Sequence, residues 1–303
     1  MSKTALILGA SGKAGLHAAQ ALEISGWTIR RFNRATDNMI QAAQGADIIV
    51  NGFNPPNYHN WGGIIPAITK QVIAAAKASG ATVFIPGNVY HFGAEGGEWS
   101  EKTPAKPCSR KGQIRLDMER AYRASGVQTV ILRTGNMIDR QHNNDIFGAV
   151  VLSALKRSKI TAPGAADTPQ PYAYMPDWGR ALQMLADKRS QLEQFEDIPF
   201  PGHVFTLNEL KAFLEVELQR PLKISRFPWW AMRLASPIWE LARELVEMRY
   251  LWDTPHTLSP ARFNALLPDF TPSTKAKAML ATLPIDIHPN KPVAAGRSHQ
   301  FNV

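Results

Sequence analysis

The sequence predicts an α/β fold in which a doubly wound parallel sheet is followed by a smaller, mostly helical C-terminal cap. Short apolar runs alternate with helical stretches over residues 1–180, as in sheets whose parallel strands are buried on both faces. A glycine-rich turn follows the first apolar run. From about residue 200 the apolar residues recur at helical spacing, which predicts a separate helical part.

Composition excludes several classes of protein. With 303 residues, of which 45% are hydrophobic and 19% charged, the chain can build a sizeable core, and wholesale disorder is excluded. The single cysteine, Cys108, excludes an internal disulfide and a cysteine-rich metal site, so no metal is expected. Because this cysteine usage fits a reducing compartment and no basic-then-apolar leader opens the chain, a cytoplasmic protein is expected.

The formal net charge of +9 leaves two interpretations open. Nucleic-acid binding would need a clustered basic face with aromatic residues set among the charges. Here the basic residues are scattered, so specific nucleic-acid binding is not expected. An ordinary solvated surface that happens to be basic and a phosphate-bearing small-molecule ligand both remain.

The first element is a strand that ends in a glycine turn. Residues 4–8, Thr-Ala-Leu-Ile-Leu, are followed by Gly-Ala-Ser-Gly-Lys-Ala-Gly at 9–15 and by a helical stretch over 16–22. Such a turn allows close approach to phosphates, and the helix amides and dipole then face the negative charge of a dinucleotide pyrophosphate. The predicted cofactor contacts of this Rossmann-type turn are Gly9, Ser11, Gly12, Lys13, Ala14 and Gly15.

The end of the second strand bears on the choice of dinucleotide. Residues 27–32 lead into Asn33 and Arg34, which are further predicted cofactor contacts. An acidic residue here would accept the ribose 2′-hydroxyl of NAD, whereas an arginine accommodates the 2′-phosphate of NADP. Asp37 comes three residues late, so Arg34 favours NADP over NAD; the alternative is an exposed surface arginine.

The third strand follows after one short helix. Between Arg34 and Asp47 there is room only for a helix at 37–44, and the next strand spans 46–51, so one edge of the sheet is predicted to lack a strand. The loop after it lies at the carboxyl end of a strand, where open α/β sheets bind ligands. It supplies three candidate cofactor contacts, Phe53, Asn54 and Pro55.

The GxxGxxG spacing in this strand–turn–helix setting resembles the short-chain dehydrogenase/reductase superfamily. The similarity is closest to its extended and atypical branch, the NAD-dependent epimerase/dehydratase-like proteins, and covers about residues 1–180. The resemblance implies a nicotinamide dinucleotide, a serine or threonine at the end of the fourth strand (residues 82–85), and a helix with Tyr-x-x-x-Lys. In that pattern the tyrosine is the acid or base, and the lysine lowers the pKa of the tyrosine.

This chain departs from the family pattern at each catalytic position. Matching Tyr90 to the tyrosine of the family's Val-Tyr segment places Pro86 at the serine position. Matching Glu119 to the family's glutamate places Arg115 at the lysine position and Lys111 at the tyrosine position. Both usual residues of the catalytic helix are therefore predicted to be replaced.

Four residues are predicted to form the modified catalytic site. Tyr90 and Asn88, at the carboxyl end of the fourth strand, supply a hydroxyl and an amide. Lys111 can act as an acid, or as a base if burial depresses its pKa. Arg115 has a permanent charge and can hold a ribose or a phosphate. The alternatives are that Tyr90 packs against the next loop and that Lys111 is an exposed first-turn lysine.

Backbone at two strand ends completes the predicted cofactor site. Pro86 and Gly87 follow the fourth strand, and a later strand at 129–133 runs into Thr134 and Gly135. The second of these segments resembles the family's Leu-Arg-Pro-Gly-Asn, and the resemblance implies that its backbone lines the nicotinamide pocket.

The C-terminal part carries helical signals. Thr206 and Glu209 form a capping-box pattern that opens a helix ending at Leu218. An amphipathic segment at 238–252 is interrupted by charges and acidic at its centre, so neither a membrane span nor a membrane-surface helix is expected. It is interpreted as part of a substrate cap or as a homodimer contact. Four nearby residues are expected to face either the cleft or the core: Arg249, Tyr250, Trp252 and His256.

The predicted organisation is a dinucleotide-binding domain at 1–185, a substrate cap at 186–283 and a tail at 284–303. The leading hypothesis is an NADP(H)-dependent oxidoreductase, or an epimerase/dehydratase-like enzyme, acting on a small carbonyl or sugar-like substrate. A non-catalytic NADP(H)-binding redox sensor or assembly factor is the alternative, because it would explain the loss of serine, tyrosine and lysine together. Nucleic-acid binding driven by the net charge is a distant third.

Overall fold

The computed structural model describes residues 3–141 and 145–288. Its strands are, in chain order, β1 (Thr4–Leu8), β2 (Thr28–Arg31), β3 (Ile48–Asn51), β4 (Thr82–Gly87), β5 (Gly97–Trp99), β6 (Thr129–Arg133), β7 (Asn136–Ile138), β8 (Lys159–Ala162), β9 (Gln170–Tyr174), β10 (Phe195–Pro199), β11 (His203–Phe205), β12 (Lys223–Arg226) and β13 (His256–Leu258). Six of them form a central sheet in the order β10–β6–β4–β3–β1–β2, with every neighbouring pair parallel.

The edge of this sheet is trimmed as the sequence predicts. Strand β2 pairs with β1 and is the last strand on its side. The chain then passes through one short helix, Met39–Ala43, and enters β3 on the other side of β1. The short spacing between the second and third apolar runs leaves no chain for a further edge strand.

Helices cover both faces of the sheet, which confirms the predicted α/β fold class. The helices are α1 (Lys13–Ile24), α2 (Met39–Ala43), α3 (Trp61–Ser79), α4 (Arg110–Ser125), α5 (Met175–Asp187), α6 (Leu207–Leu218), α7 (Trp229–Ala235), α8 (Glu240–Glu247), α9 (Tyr250–Asp253), α10 (Ala261–Leu266) and α11 (Lys275–Leu280). Helices α1 and α5 pack on one face, and α2, α3 and α4 on the other. Because both faces of the sheet are covered, the sequences of the central strands are continuous apolar runs and do not alternate between apolar and polar residues.

The cap is built from several parts of the chain. Helix α6 and the strand pair β8–β12 enclose a second apolar core with β9 and β11. The predicted capping box is present: the Glu209 amide donates to the Thr206 hydroxyl at 3.1 Å, and the Thr206 amide donates to the Glu209 carboxylate at 2.7 Å. The helix ends at Leu218, as its sequence pattern predicts.

Segments on both sides of residue 185, where the sequence places its first division, contribute to the central sheet, and the division itself stays a prediction. Strand β10 lies beyond it, yet β10 pairs with β6 in the central sheet, and α10 covers β10 through a ring contact of 5.4 Å between Phe263 and Phe200. Strands β8 and β9 lie before residue 185, yet they contribute to the cap core. The central sheet and the cap each contain segments from both sides of residue 185. Strand pairing and burial decide to which of the two a segment belongs, and its position along the chain does not.

Two further predictions concern the C-terminal half. No helix within residues 3–141 and 145–288 combines the length and the apolar character that crossing a membrane requires. Of the predicted tail, residues 289–303 lie outside the described residues.

The amphipathic segment predicted as a cap or homodimer contact begins near α8. Helix α8 buries Ala242 and Leu245, whereas α7 exposes Trp230 and Leu234. The homodimer contact stays a prediction.

A fully buried arginine joins the sheet to the segment after β4. Arg133, at the end of β6, donates to both oxygens of Asp197 at 3.0 and 2.7 Å and to both oxygens of Glu119 at 3.0 Å each. It also donates to the main-chain oxygen of Asn88 and lies 3.3 Å from Nδ1 of His91. Although His91, Glu119 and Asp197 bring potential metal ligands together, the guanidinium contacts all three. Arg133 thereby sets the position of the Asn88 backbone.

Candidate active site

A cavity of about 430 Å³ lies at the carboxyl ends of the central strands. Its walls come from the start of α1 and from the segments after β3, β4 and β6. Residues of α8, α9 and β13 close it on the cap side. Its volume is within the range of small-molecule and cofactor sites, and its place is where open α/β sheets bind ligands.

The glycine turn has the close contacts that its spacing predicts. Gly9 has a φ of +71°, which favours glycine, and the Gly12 amide donates to the Gly9 carbonyl at 2.9 Å. A Cβ on Gly15 would lie only 2.2 Å from the Gly9 oxygen, so glycine is required there. No side chain caps α1, and its first turn holds no acidic residue, so its amides and dipole are available to an anion. These features fit a dinucleotide pyrophosphate.

The members of the turn differ in their relation to the cavity. Gly12, Lys13 and Ala14 line it, whereas Gly9 and Gly15 shape the turn behind it and Ser11 is exposed beside it. The Lys13 ammonium donates to Asp145 at 2.6 Å and to the Met137 carbonyl at 3.0 Å. This contact connects the turn to the segment after β7.

The end of β2 is arranged differently from the sequence expectation. Asn33 and Arg34 are exposed and do not line the cavity. The loop after β2 folds back, so that the Asn33 amide donates to the Asp37 carboxylate at 2.8 Å. This backbone hydrogen bond, with a second bond from Thr36, holds the pKa of Asp37 below its usual value. The carboxylate of Asp37 therefore lies near the end of β2, although Asp37 comes three residues later in the sequence than the usual acidic position.

The segment after β4 brings Tyr90 into the cavity. The Asn88 side chain accepts a hydrogen bond from the Tyr90 amide at 3.2 Å, and both residues line the cavity together with Pro86 and Gly87. The Tyr90 hydroxyl lies 3.0 Å from the Tyr58 hydroxyl, and its ring stacks on Trp61 with centroids 6.1 Å apart. Burial raises the pKa of Tyr90, an effect that the Tyr58 hydrogen bond and the Arg115 charge only partly oppose.

Arg115 lies beside this aromatic group. Its Nη2 donates to the Asn54 side-chain oxygen at 2.9 Å, and its guanidinium lies 4.7 Å from the centre of the Trp61 ring. Only 8% of Arg115 is exposed to solvent, and the residue lines the cavity. Burial lowers the pKa of Arg115 from its ordinary value. The structure thus brings the predicted residues Asn54, Tyr90 and Arg115 to one wall of the cavity.

Sequence analysis did not single out Tyr58 or Trp61 as site residues. They lie where the loop after β3 enters α3, and the loop is unusual because Asn57, Tyr58 and Asn60 have φ values of +52°, +58° and +43°. Asparagine tolerates this left-handed region, but tyrosine rarely adopts it, so backbone strain is stored at the cavity wall. The sequence signal that could have identified these two residues is a pair of aromatic side chains in the segment that follows the carboxyl end of β3.

The cap contributes a buried histidine. Among the four cap residues named from the sequence, Trp252 and His256 line the cavity. Nδ1 of His256 lies 2.8 Å from the Thr254 carbonyl, so Nδ1 carries the proton and Nε2 is an acceptor. Burial lowers the pKa of His256 to about 4, so the ring is neutral at pH 7. Within the described part of the chain, Nε2 has no hydrogen-bond partner.

Comparisons with known proteins bear on this fold. No family model and no curated protein sequence matches the chain. Solved structures do match. MoeE5 in complex with UDP-glucose and NAD has a TM-score of 0.73 at 15% identity, over 92% of this chain and 97% of that chain. The UDP-glucuronic acid 4-epimerase from Bacillus cereus, in complex with UDP-glucuronic acid and NAD, has a TM-score of 0.73 at 16% identity, with coverages of 92% and 97%.

TunA, an NAD-dependent NDP-hexosamine 5,6-dehydratase, has a TM-score of 0.71 at 12% identity, over 92% of this chain and 96% of that chain. The protein has the fold of NAD-dependent nucleotide-sugar epimerases and dehydratases. The resemblance stated from the glycine spacing is therefore confirmed at the level of the fold, over nearly the whole chain rather than residues 1–180 alone.

Lys111 does not reach the cavity, contrary to its expected catalytic role. The residue is 0% exposed, and its ammonium is paired with Glu244 and, at 2.8 Å, with Glu247. Its backbone amide also donates to Glu247 at 2.9 Å. Both carboxylates belong to α8, so Lys111 attaches the cap to α4. The alternative of an exposed first-turn lysine is also wrong.

Substituting Lys111 by methionine tests this structural role. The expected result is a loss of about 2–3 kcal/mol in the free energy of unfolding, somewhat below the range for losing a sole buried partner, because Arg110 still contacts Glu244. Urea unfolding measures the change. The matched control is Lys106→Met, because Lys106 and Glu95 form an exposed pair at 2.7 Å whose loss costs at most about 1 kcal/mol. Equal stability of the two variants would contradict the assignment.

Proposed function

We propose that the protein is a nicotinamide-dinucleotide-dependent oxidoreductase, or an epimerase/dehydratase-like enzyme, with a modified catalytic site and a small carbonyl or sugar-like substrate. One observation carries this proposal: a single cavity extends from the glycine turn to the cap and has Tyr90 and Arg115 on its wall. The three neighbours described above, whose fold this chain has, bind nucleotide sugars with NAD or act on them in an NAD-dependent way.

The chain offers separate places for the pyrophosphate and the nicotinamide of the cofactor. The amides of Gly12, Lys13 and Ala14 would hold the pyrophosphate, and the backbone after β4 and β6, at Pro86–Gly87 and Thr134–Gly135, would border the nicotinamide. Gly135 lies so close to the Pro171 carbonyl that a Cβ there would approach it to 2.3 Å, which keeps this wall free of side-chain atoms. When bound, the dinucleotide supplies the hydride acceptor or donor.

Tyr90 is proposed as the proton donor. Because its pKa is raised, its phenol stays protonated at neutral pH and can donate a hydrogen bond or a proton to a carbonyl oxygen in the cavity. Asn88 holds the Tyr90 backbone in place, and Arg133 in turn holds Asn88. On the cap side, Nε2 of His256 can accept a hydrogen bond from a substrate hydroxyl.

A non-catalytic dinucleotide-binding protein is the second candidate. Two observations favour it: Lys111 is committed to ion pairs with the cap, and Tyr90 has a raised rather than a lowered pKa. Such a redox sensor or assembly factor would bind a dinucleotide without turnover, and its affinity for a partner would change with the oxidation state of the dinucleotide.

A dinucleotide titration tests the proposed function and its cofactor. We expect NADPH to bind more tightly than NADH, and Arg34→Ala to weaken NADPH binding roughly tenfold or more, because a charge-assisted hydrogen bond contributes about 1.5–3 kcal/mol. Calorimetric titration measures both Kd values. Arg31→Ala is the matched control, since Arg31 lies on β2 and pairs with Glu23 at the surface.

Two other outcomes of this titration are informative. If Arg34→Ala leaves NADPH binding unchanged while Asp37→Asn weakens NADH binding, the cofactor is NAD and the arginine is an ordinary surface residue. If neither dinucleotide binds, both the enzyme and the sensor proposals fail.

A further inference from the structure

The cavity wall contains a buried cation without a counterion. No carboxylate of residues 3–141 or 145–288 lies within ion-pair distance of Arg115. Glu119, one helical turn after Arg115, uses both of its oxygens on Arg133 at 3.0 Å. An ionised guanidinium that is 92% buried is expensive unless it is paired, so its retention here points to a partner that comes from outside the chain.

The hydrogen-bonding groups around this cation are also incomplete. Nη2 of Arg115 donates to Asn54, and Nη1 has only the Met118 sulfur, a weak acceptor, at 3.6 Å. Nε of Arg115 and Nε1 of Trp61 are buried donors without a partner in the described chain. Trp61 is 1% exposed, and the guanidinium stacks on its ring, so the two orphaned N–H groups belong to neighbouring side chains. Buried donors are nearly always satisfied, and both residues line the cavity, so these two exceptions point to an acceptor that binds beside them.

We propose that Arg115 and Trp61 form an oxyanion site that holds an anionic group of the substrate, a carboxylate or a phosphate, next to the Tyr90 hydroxyl. The inference rests on the proposed function and narrows it to an anionic sugar-like substrate. The stacking contact with Trp61 offsets only part of the cost of the buried charge, whereas a carboxylate matches the planar fork of a guanidinium. The pyrophosphate of the dinucleotide has its own proposed site at the glycine turn, where the amides at the start of α1 have no side-chain cap and line the cavity.

The consequence for the ligand-free protein is unusual. Substituting a buried charged residue usually destabilises a protein, because the substitution leaves an oppositely charged partner buried and unpaired. Because Arg115 has no counterion, Arg115→Gln removes a desolvated charge and is expected to raise the thermal midpoint by a few degrees. A fall in the midpoint would mean that Arg115 is a structural residue, and it would overturn the proposal. The measurement needs no substrate and no activity.

Anion binding is tested by thermal melting of the protein saturated with dinucleotide, at constant ionic strength. The probes are glucuronate and inorganic phosphate, with glucose as the neutral counterpart of glucuronate. At an anion concentration tenfold above Kd, the midpoint should rise by about 3 °C for a chain of this size, and glucose should leave it unchanged. Arg115→Gln should abolish the rise, and Trp61→Phe, which keeps an aromatic ring but loses the indole N–H, should reduce it. Arg120→Gln is the control, because Arg120 is on the same helix with a 67% exposed side chain.

The arms of this experiment separate the sources of the anion. An anion-induced rise that disappears once the dinucleotide is bound would mean that Arg115 holds a cofactor phosphate, which overturns the substrate assignment and leaves the proposed function standing. A rise that persists in Arg115→Gln would place the anion elsewhere and overturn the site. If no dinucleotide binds, the proposed function fails. The anion-induced rise is then compared between the wild type and Arg115→Gln in the absence of dinucleotide.

Discussion

Replacing Arg133 by methionine is expected to cost about 3–5 kcal/mol in the free energy of unfolding, the largest loss of stability of the substitutions considered. The guanidinium is fully buried and satisfies Glu119, Asp197 and the Asn88 carbonyl together. Without it, Glu119 is left buried without a cation and the Asn88 oxygen without a donor. Urea unfolding monitored by circular dichroism measures the loss.

The pH dependence of this variant has a defined sign. Burial raises the pKa of Glu119, and Arg133 opposes that rise, so removing Arg133 raises the pKa of Glu119 further. A carboxyl group whose pKa is higher in the folded than in the unfolded state loses stability as pH rises through the folded value. The deficit of Arg133→Met should therefore be largest at neutral and alkaline pH and should shrink on acidification.

Two controls distinguish this network from a general effect of losing charge. Arg120→Met, at an exposed position of α4, should change stability by less than about 1 kcal/mol. Arg133→Met combined with Glu119→Gln and Asp197→Asn should recover a large part of the loss, since buried charges are then absent rather than unpaired. If the single variant is as stable as the Arg120 variant, the buried network does not hold the fold together.

Tyr90→Phe is expected to lower kcat by about 100-fold or more, the usual contribution of a positioned general acid or base. Dinucleotide affinity should be unchanged, because none of the proposed contacts of the dinucleotide involves the Tyr90 hydroxyl. The readout is turnover of NADPH or NADH with a panel of carbonyl compounds and nucleotide sugars. Tyr172→Phe is the matched control, since Tyr172 is buried against Phe205 and lies outside the cavity wall.

The pH profile gives a second, independent readout for Tyr90. Because burial holds its pKa above the ordinary value near 10, the acid form persists across neutral pH, and kcat should be flat there and fall only in strongly alkaline solution. A variant rate within threefold of wild type would remove Tyr90 from the reaction. Tight dinucleotide binding with no turnover by the wild type would instead favour the sensor.

Local patterns were sufficient for the elements that are proposed to bind the dinucleotide. Thr4–Leu8 and the turn ending at Gly15 form as predicted because a buried strand and a tight turn are each encoded within a few consecutive residues. The absence of a further edge strand could also be predicted from the sequence, because the segment between β2 and β3 is long enough for only one short helix. The strand after residue 185 was missed because residues 195–199 (Phe-Glu-Asp-Ile-Pro) contain two acidic residues. In the folded protein Arg262 pairs with Glu196 and Arg133 pairs with Asp197.

The catalytic candidates show where local patterns stop. Sequence matching places Lys111 at the position of the family's tyrosine, yet its partners in α8 are 133 and 136 residues further along the chain. Tyr58 and Tyr90 are 32 residues apart, and only the loop after β3 brings their hydroxyls to 3.0 Å. The Asp37 carboxylate was discounted because of its spacing, and a backbone turn then returned it to the end of β2.

By itself the sequence determined the fold class, the glycine turn with its helix, the trimmed edge of the sheet and the presence of a cap. Each of these depends on periodicity, glycine positions or segment length, which are properties of neighbouring residues. Only the tertiary structure decided that Lys111 attaches the cap, that Tyr90 lines the cavity and that Arg115 has no ion-pair partner within residues 3–141 and 145–288. Those outcomes depend on which distant side chains share one buried space, because in a low-dielectric interior the presence or absence of a partner decides what a charge can do.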